Sequence, residues 1–120
     1  MESFKHKSIV RCLNSYVFEQ KIYSVMDYAV GGELGNYMKD KHHLSESDAM
    51  RIFKQVHDAV RYIHSRNVIH RDIKPNNILF LDEAKENVIV SILNQLIKLL
   101  IFSLLILEYQ ESAQETYKKI

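Results

Sequence analysis

Three side chains on one short loop have the types and spacing that chemistry needs. They lie in Val68-Ile69-His70-Arg71-Asp72-Ile73-Lys74-Pro75-Asn76-Asn77-Ile78-Leu79-Phe80. Asp72 offers a carboxylate. Lys74 follows two residues later, so in an extended chain it projects beside Asp72. Asn77 closes the loop with a neutral amide oxygen. A carboxylate that orients an attacking hydroxyl, an ammonium that offsets charge on a moving phosphoryl group and an oxygen ligand for Mg²⁺ together suit phosphoryl transfer.

Such groups need rigid support, and the flanks promise it. Val68-Ile69 and Ile78 to Phe80 are apolar, largely β-branched runs bounding a polar turn, and both read as strands. Pro75 fixes the turn and pushes Lys74 into an extended conformation.

At these residues the chain resembles the protein kinase family, in the pattern His-Arg-Asp-x-x-x-x-Asn. That resemblance implies Asp72 as catalytic base, Lys74 as a γ-phosphate contact and Asn77 as a metal ligand. Lys74-Pro75 after the acid resembles the serine/threonine type. The cofactors implied are ATP and Mg²⁺, and the partners implied are ATP and a protein substrate. The competing reading of the same residues is a surface turn whose Asp and Asn satisfy backbone groups.

Other stretches extend the resemblance over about residues 4 to 90. His6-Lys7-Ser8-Ile9-Val10 is similar to the family's His-x-Asn-Ile-Val, so residues 1 to 8 resemble the end of its C-helix and the turn after it. Ile9 to Phe18 and Ile22 to Tyr28 are rich in Ile, Val, Tyr and Phe. Separated by Glu19-Gln20-Lys21, they predict a hairpin. The second run resembles the strand entering the hinge between kinase lobes. Met26 then falls at the gatekeeper position, and the Asp27 carbonyl and Ala29 amide at the adenine contacts. Met26 reads equally well as a core methionine filling a gap. In Gly31-Gly32-Glu33-Leu34 the glycines free the backbone for a turn. Glu33 is implied as a ribose-hydroxyl acceptor, or else it is an acid placed to suit a helix start. Leu79 is implied beneath the adenine ring.

The elements around these residues follow from periodicity. Gly35 to Lys41 predicts a short helix. Ser45 to Ser65 predicts a long one, because Ala49, Ile52, Phe53, Val56, Ala59, Val60 and Ile63 recur at steps of three and four. Ser45 is its expected N-cap, with Asp48 in the capping-box position, and Arg66-Asn67 supplies the exit turn. His42-His43 has no Cys or acidic partner at ligand spacing, so no metal is expected there. Leu81 to Asn87 reads as an acidic turn, and Val88-Ile89-Val90 as a strand returning on Ile78 to Phe80.

The family pattern then fails. After Val90 the family places Asp-Phe-Gly, whereas this chain continues Ser91-Ile92-Leu93-Asn94. The last aspartate is Asp82, the last glycine Gly35 and the sole proline Pro75. These 120 residues therefore contain no Asp-Phe-Gly, no glycine-rich nucleotide loop and no Ala-Pro-Glu. Nor do they contain the phosphate-binding lysine and its glutamate partner. Mg²⁺ gives up its waters reluctantly, and Asn77 is a single neutral ligand. The expectation is a chain that keeps the family's base and hinge, lacks most of its phosphate clamp and is inactive alone. The alternatives are a non-catalytic, pseudokinase-like interaction module and a truncated product without its own activity.

The fold class expected is α+β: a truncated protein-kinase-like fold with the end of the small lobe, the hinge, the first part of the large lobe and a C-terminal apolar helix. Residues 1–91 form the partial kinase domain, and 92–120 a helical segment outside the family. Leu99 to Leu107 is apolar except for Ser103. A bilayer span needs about 20 apolar residues, and Asn94, Gln95 and Lys98 break the longer stretch 92–107. Residues 92–107 therefore read as a helix folding back over bare surface, as a membrane or partner contact, or as unselected sequence. Glu108 to Ile120 reads as a solvated helix or frayed tail. With the large-lobe helices that the family packs on the long helix absent, the expectation is marginal stability, or dependence on the tail or on a protein partner to cover the exposed apolar face.

Composition limits the remaining classes. With 47% apolar and 26% charged residues, the chain is ordinary for a globular protein. A formal net charge of +1 gives no field for nucleic acid. Cys12 is the only cysteine, so no internal disulfide can form. With no apolar run at the N-terminus to serve as a signal peptide, a cytoplasmic location is expected.

Overall fold

A computed structural model describes residues 4–119, with only the backbone described for 93–100 and 103–104. Residues 1–3 and 120, and with them the first part of the expected C-helix end, lie outside the described residues. Residues 4–6 form no regular element, and Lys7-Ser8 is a turn.

The hairpin forms as β1 (Cys12–Phe18) and β2 (Lys21–Met26), antiparallel, with a bulge between Cys12 and Asn14. Its loop is shorter than expected, because Lys21 is already in β2. Glu19 and Gln20 alone turn the chain, with φ of 47° and 62°. Two left-handed residues give the turn whose twist matches paired strands. Tyr16 stacks on Tyr23 across the ladder, with ring centroids 5.3 Å apart. The strand expected from Ile9 starts later, at Cys12. Ile9 instead bridges Val90, and Val10 N–H donates to the Val90 carbonyl at 3.1 Å.

A three-stranded antiparallel sheet carries the centre of the molecule. Its strands run in the order β3 (Gly32–Glu33), β4 (Ile78–Phe80), β5 (Val88–Val90). Against it lie α1 (Leu34–Lys41) and α2 (Glu46–Ser65). Helix α2 starts as its sequence requires, with Ser45 Oγ accepting from Asp48 N–H at 3.1 Å. Its buried residues are Ile52, Ala59 and Ile63. Phe53, expected on that face, is instead 63% exposed. Ile9, Ala59, Ile63, Val90 and Ile92 form one apolar cluster. Leu34, Ile52, Ile78, Phe80 and Val88 form a second.

The β4–β5 turn is fastened to α2. Arg51 donates to the Lys85 and Glu86 carbonyls, and Gln55 Oε1 accepts from Val88 N–H. Lys85 reaches back to the Gly31 carbonyl.

Val68-Ile69 does not form a strand. Val68 N–H is used to close the end of α2 on the Ile63 carbonyl, and Ile69 is 63% exposed and pairs with no strand among the described residues. β-propensity without a partner edge yields extended chain and no ladder.

The last element is α3 (Leu93–Lys119). Ile101, Phe102 and all of residues 105–119 are exposed, so that part of it does not fold back over the body. No helix is long and apolar enough, among the described residues, to cross a membrane.

Candidate active site

The loop between α2 and β4 is held from inside. His70 is buried at 2% exposure. Its Nδ1 accepts from Asp72 N–H at 3.1 Å, which places the ring proton on Nε2, 2.7 Å from the Ser91 carbonyl. Ser91 N–H donates to the Asn77 carbonyl at 2.8 Å. Ser91 therefore grips the loop at both ends. Between His70 and Asp72, Arg71 takes φ = 67°, a left-handed conformation that costs a non-glycine residue about 1 kcal/mol or more. A 3₁₀ turn, Pro75–Asn77, then closes the loop onto β4.

These supports bring Asp72, Lys74 and Asn77 together. Asn77 Nδ2 donates to the Asp72 carbonyl at 2.8 Å and to its Oδ2 at 2.9 Å. Lys74 Nζ stands 3.5 Å from Asp72 Oδ1. The Asn77 amide, helped by the charge of Lys74, holds the Asp72 carboxyl below the usual carboxylate range, against a smaller opposing effect of desolvation. Asp72 is thus ionised at neutral pH. The Asn77 oxygen is the end of its side chain not used by these bonds.

The segment expected as the hinge is closed at its start by Arg11. Its carbonyl accepts from Asp27 N–H at 3.1 Å, and its guanidinium meets the Asp27 carboxylate twice at 3.2 Å. Gly32 N–H to the Ala29 carbonyl closes the next turn. These bonds use neither the Asp27 carbonyl nor the Ala29 amide. Met26 ends β2 opposite Cys12 and is half-buried. Gly31 N–H then docks on the Phe80 carbonyl at 2.9 Å. A Cβ at Gly31 would collide with Phe80 and the Asp82 carbonyl, so the site needs glycine for close approach. Gly32 needs it for its φ of 76°.

Glu33 pairs with Leu79 in the β3–β4 register. It occupies the N-cap position of α1 but makes no side-chain cap bond. Leu79 is half-buried between fully buried neighbours and faces away from the core that holds Ile78 and Phe80. Glu33 thus stands beside Leu79 in the ladder, and Leu79 follows the Asp72 loop directly in β4.

The metal half is different. Ile92 follows Ser91 and is buried at 1% in the apolar cluster of Ile9 and Ile63. Among the described residues there is no group of three or more His, Cys, Asp or Glu side chains able to hold a metal. The Asp72 carboxylate is already engaged by Asn77 and Lys74. The donor set does not fit a resident Mg²⁺, which needs several oxygen ligands. His70 and Ser91, the residues that fasten the loop, were not among those singled out by the sequence. The His-Arg-Asp triplet carried a signal for His70, whereas nothing marked Ser91.

This fold and this loop define a protein kinase catalytic core in part, and the chain belongs to the protein kinase family. The family's model, Protein kinase domain, matches residues 1–110. Relatives place it among serine/threonine kinases. CBL-interacting protein kinase 11 of Oryza sativa subsp. japonica is 46% identical over 91 residues, covering 76% of this chain and 18% of the relative. Calcium-dependent protein kinase 3 of Plasmodium yoelii yoelii is 38% identical over 89 residues, 74% of this chain and 16% of the relative. Human serine/threonine-protein kinase H1 is 34% identical over 86 residues, 72% of this chain and 20% of the relative. The crystal structure of Rad53 1-466 in complex with AMP-PNP superposes with a TM-score of 0.70 at 32% identity, over 73% of this chain and 24% of that one. The chain thus spans about a fifth of the length of the proteins it matches.

Proposed function

We propose that this chain carries the alcohol-aiming and adenine-docking part of a serine/threonine kinase site, the part that serves ATP-dependent phosphoryl transfer to a protein hydroxyl. The supporting observation is the set Asp72, Lys74 and Asn77, fixed within hydrogen-bond or ion-pair reach of one another. Asp72 accepts the hydrogen bond of the incoming Ser or Thr hydroxyl and takes its proton as the new O–P bond forms. Lys74 offsets charge on the γ-phosphoryl group as its bond to the leaving ADP breaks. The Asp27 carbonyl and Ala29 amide hold adenine beside Met26, Leu79 lies under the ring, and Glu33 accepts from the ribose. Asn77 is a single metal ligand in waiting, and no step runs through it in this chain.

Because no aspartate follows Asp82 to serve as the charged metal ligand, and the chain after Val90 runs through Ser91 to buried Ile92, the chain alone transfers no phosphoryl group. It works as residues 1–91 of a kinase-like unit, with 92–120 as an appended helix, in the cytoplasm. A second reading, a non-catalytic interaction module, is favoured by Met50 and Phe53, exposed at 62% and 63% on the outer face of α2. There a protein partner would be seated.

Calorimetric titration with adenosine and with MgATP tests the nucleotide reading. Adenosine and MgATP are expected to bind with affinities within about threefold, since a tenfold gap would need about 1.4 kcal/mol from phosphate and metal contacts. Loss of adenosine binding in Leu79→Asp supports the docking path. No adenosine binding at millimolar concentration rejects it. MgATP binding at least tenfold tighter, abolished in Asn77→Ala, rejects the missing clamp.

A further inference from the structure

The exposed part of α3 carries a pattern that the kinase reading does not use. Phe102, Ile106, Tyr109, Ala113 and Thr116 follow one another at steps of four, three, four and three. That alternation is the a/d repeat of a coiled-coil seam. All five are exposed, Phe102 at 62% and Tyr109 at 76%. Charge obeys the same frame. Glu108, Glu111, Glu115 and Lys118 all fall on the c and f positions, the side turned away from the seam. Between Phe102 and Lys118 no charged residue stands at a, d, e or g, and Lys119, at g, is the first that does. A seam without charge does not suit a basic or acidic peptide, and it raises no repulsion against a copy of itself.

Shape selects the orientation. A concavity of about 360 Å³ lies on the seam, lined by Tyr109, Ser112, Ala113, Thr116 and Tyr117. In a parallel pair Tyr109 would meet Tyr109, and Ala113 would meet Ala113. In an antiparallel pair each a layer meets a d layer, so Tyr109 of one copy enters the hollow at Ala113 of the other, while Ile106 packs on Thr116.

We propose that α3 pairs antiparallel with α3 of a second copy of this chain, centred near Glu111. The overlap, Phe102 to Lys119, is 18 residues or about 27 Å. One helix pair of about five turns is short for the roughly 1,200–2,000 Å² that a stable complex buries, so the dimer is weak and forms in the micromolar range or above.

Sedimentation equilibrium of the full chain, at concentrations from about 1 to 500 μM, reads this directly. The mass rises from 14.1 kDa toward twice that value. Ile106→Glu holds it at the monomer, while Leu107→Glu, on the outer side, leaves the rise unchanged. In a Cys12→Ser background, oxidised Ser112→Cys gives a covalent dimer, because two g positions near the centre adjoin only in the antiparallel pair, and Phe102→Cys does not. A monomer throughout overturns the proposal, as does equal loss of dimer in both glutamate variants. Cross-linking through Phe102→Cys alone overturns the orientation. Binding of the monomeric chain to phosphatidylcholine vesicles would instead assign the apolar stretch to a lipid surface.

Discussion

The carbonyl oxygen of Ser91 lies 2.7 Å from Nε2 of His70, 21 residues earlier in the chain. This bond fastens the loop that bears Asp72 to the residue just past β5. His70→Ala removes it together with the acceptor for Asp72 N–H, and opens a cavity. The expected cost is about 2–4 kcal/mol, read as a lower urea midpoint. A change under about 0.5 kcal/mol would mean that the loop is held by other means.

Asn77, proposed above as a metal ligand, has a second role that its hydrogen bonds show. Its amide is the main cause of the low pKa of Asp72. Asn77→Ala is therefore expected to raise that pKa toward the ordinary value of 3.8, followed through the Asp72 carboxyl carbon by NMR. An unchanged titration would show that Lys74 alone sets it.

Acid should loosen the fold from identifiable places. Asp82 accepts from Glu86 N–H, Asn87 N–H and Asn87 Nδ2, and its pKa is lowered chiefly by the Glu86 bond. Asp48 is lowered by Arg51 and Ser45. A depressed folded pKa gives stability that is present above the unfolded value and lost as pH falls through the folded one. Stability should hold from neutral pH to about 4 and fall below it. In Asp82→Asn the fall should be shallower. An identical acid profile in that variant would contradict the assignment.

Two neighbouring glycines should respond in opposite directions. Gly31→Ala drives a Cβ into Phe80 and the Asp82 carbonyl, with an expected loss of about 1–3 kcal/mol. At Gly35, inside α1, the Cβ would meet Asn76 Oδ1 at 2.8 Å, the far end of a flexible side chain. Ala there regains up to about 1 kcal/mol of helix propensity once Asn76 swings aside. Thermal melts of both variants check this. Equal destabilisation would mean that Asn76 cannot move.

Local pattern made most of this fold legible. Ser45 to Ser65 showed its period and its cap, and Ile78 to Phe80 with Val88 to Val90 showed paired strands. Asp72, Lys74 and Asn77 were readable because one stiff turn carries all three. What escaped depends on partners distant in sequence. Val68-Ile69 has strand residues but no edge to join. Phe53 keeps the helical period yet lies outside the arc that the sheet covers. Ser91 acts only through main-chain groups, which side-chain identity does not encode. Gly31 and Gly32 look alike in sequence, yet one is needed for space and the other for its backbone angle. In α3, apolar residues at Ile101, Leu105 and Leu107 obscure the alternating seam of Phe102, Ile106 and Tyr109.

On the proposed reading the base is in place while the triphosphate is not gripped. Its most direct measurement is transfer of ³²P from γ-labelled MgATP to a mixed Ser/Thr peptide pool by the purified 120-residue chain. The expected result is incorporation no greater than in Asp72→Asn. Transfer by the unaltered chain that disappears in Asp72→Asn would contradict it.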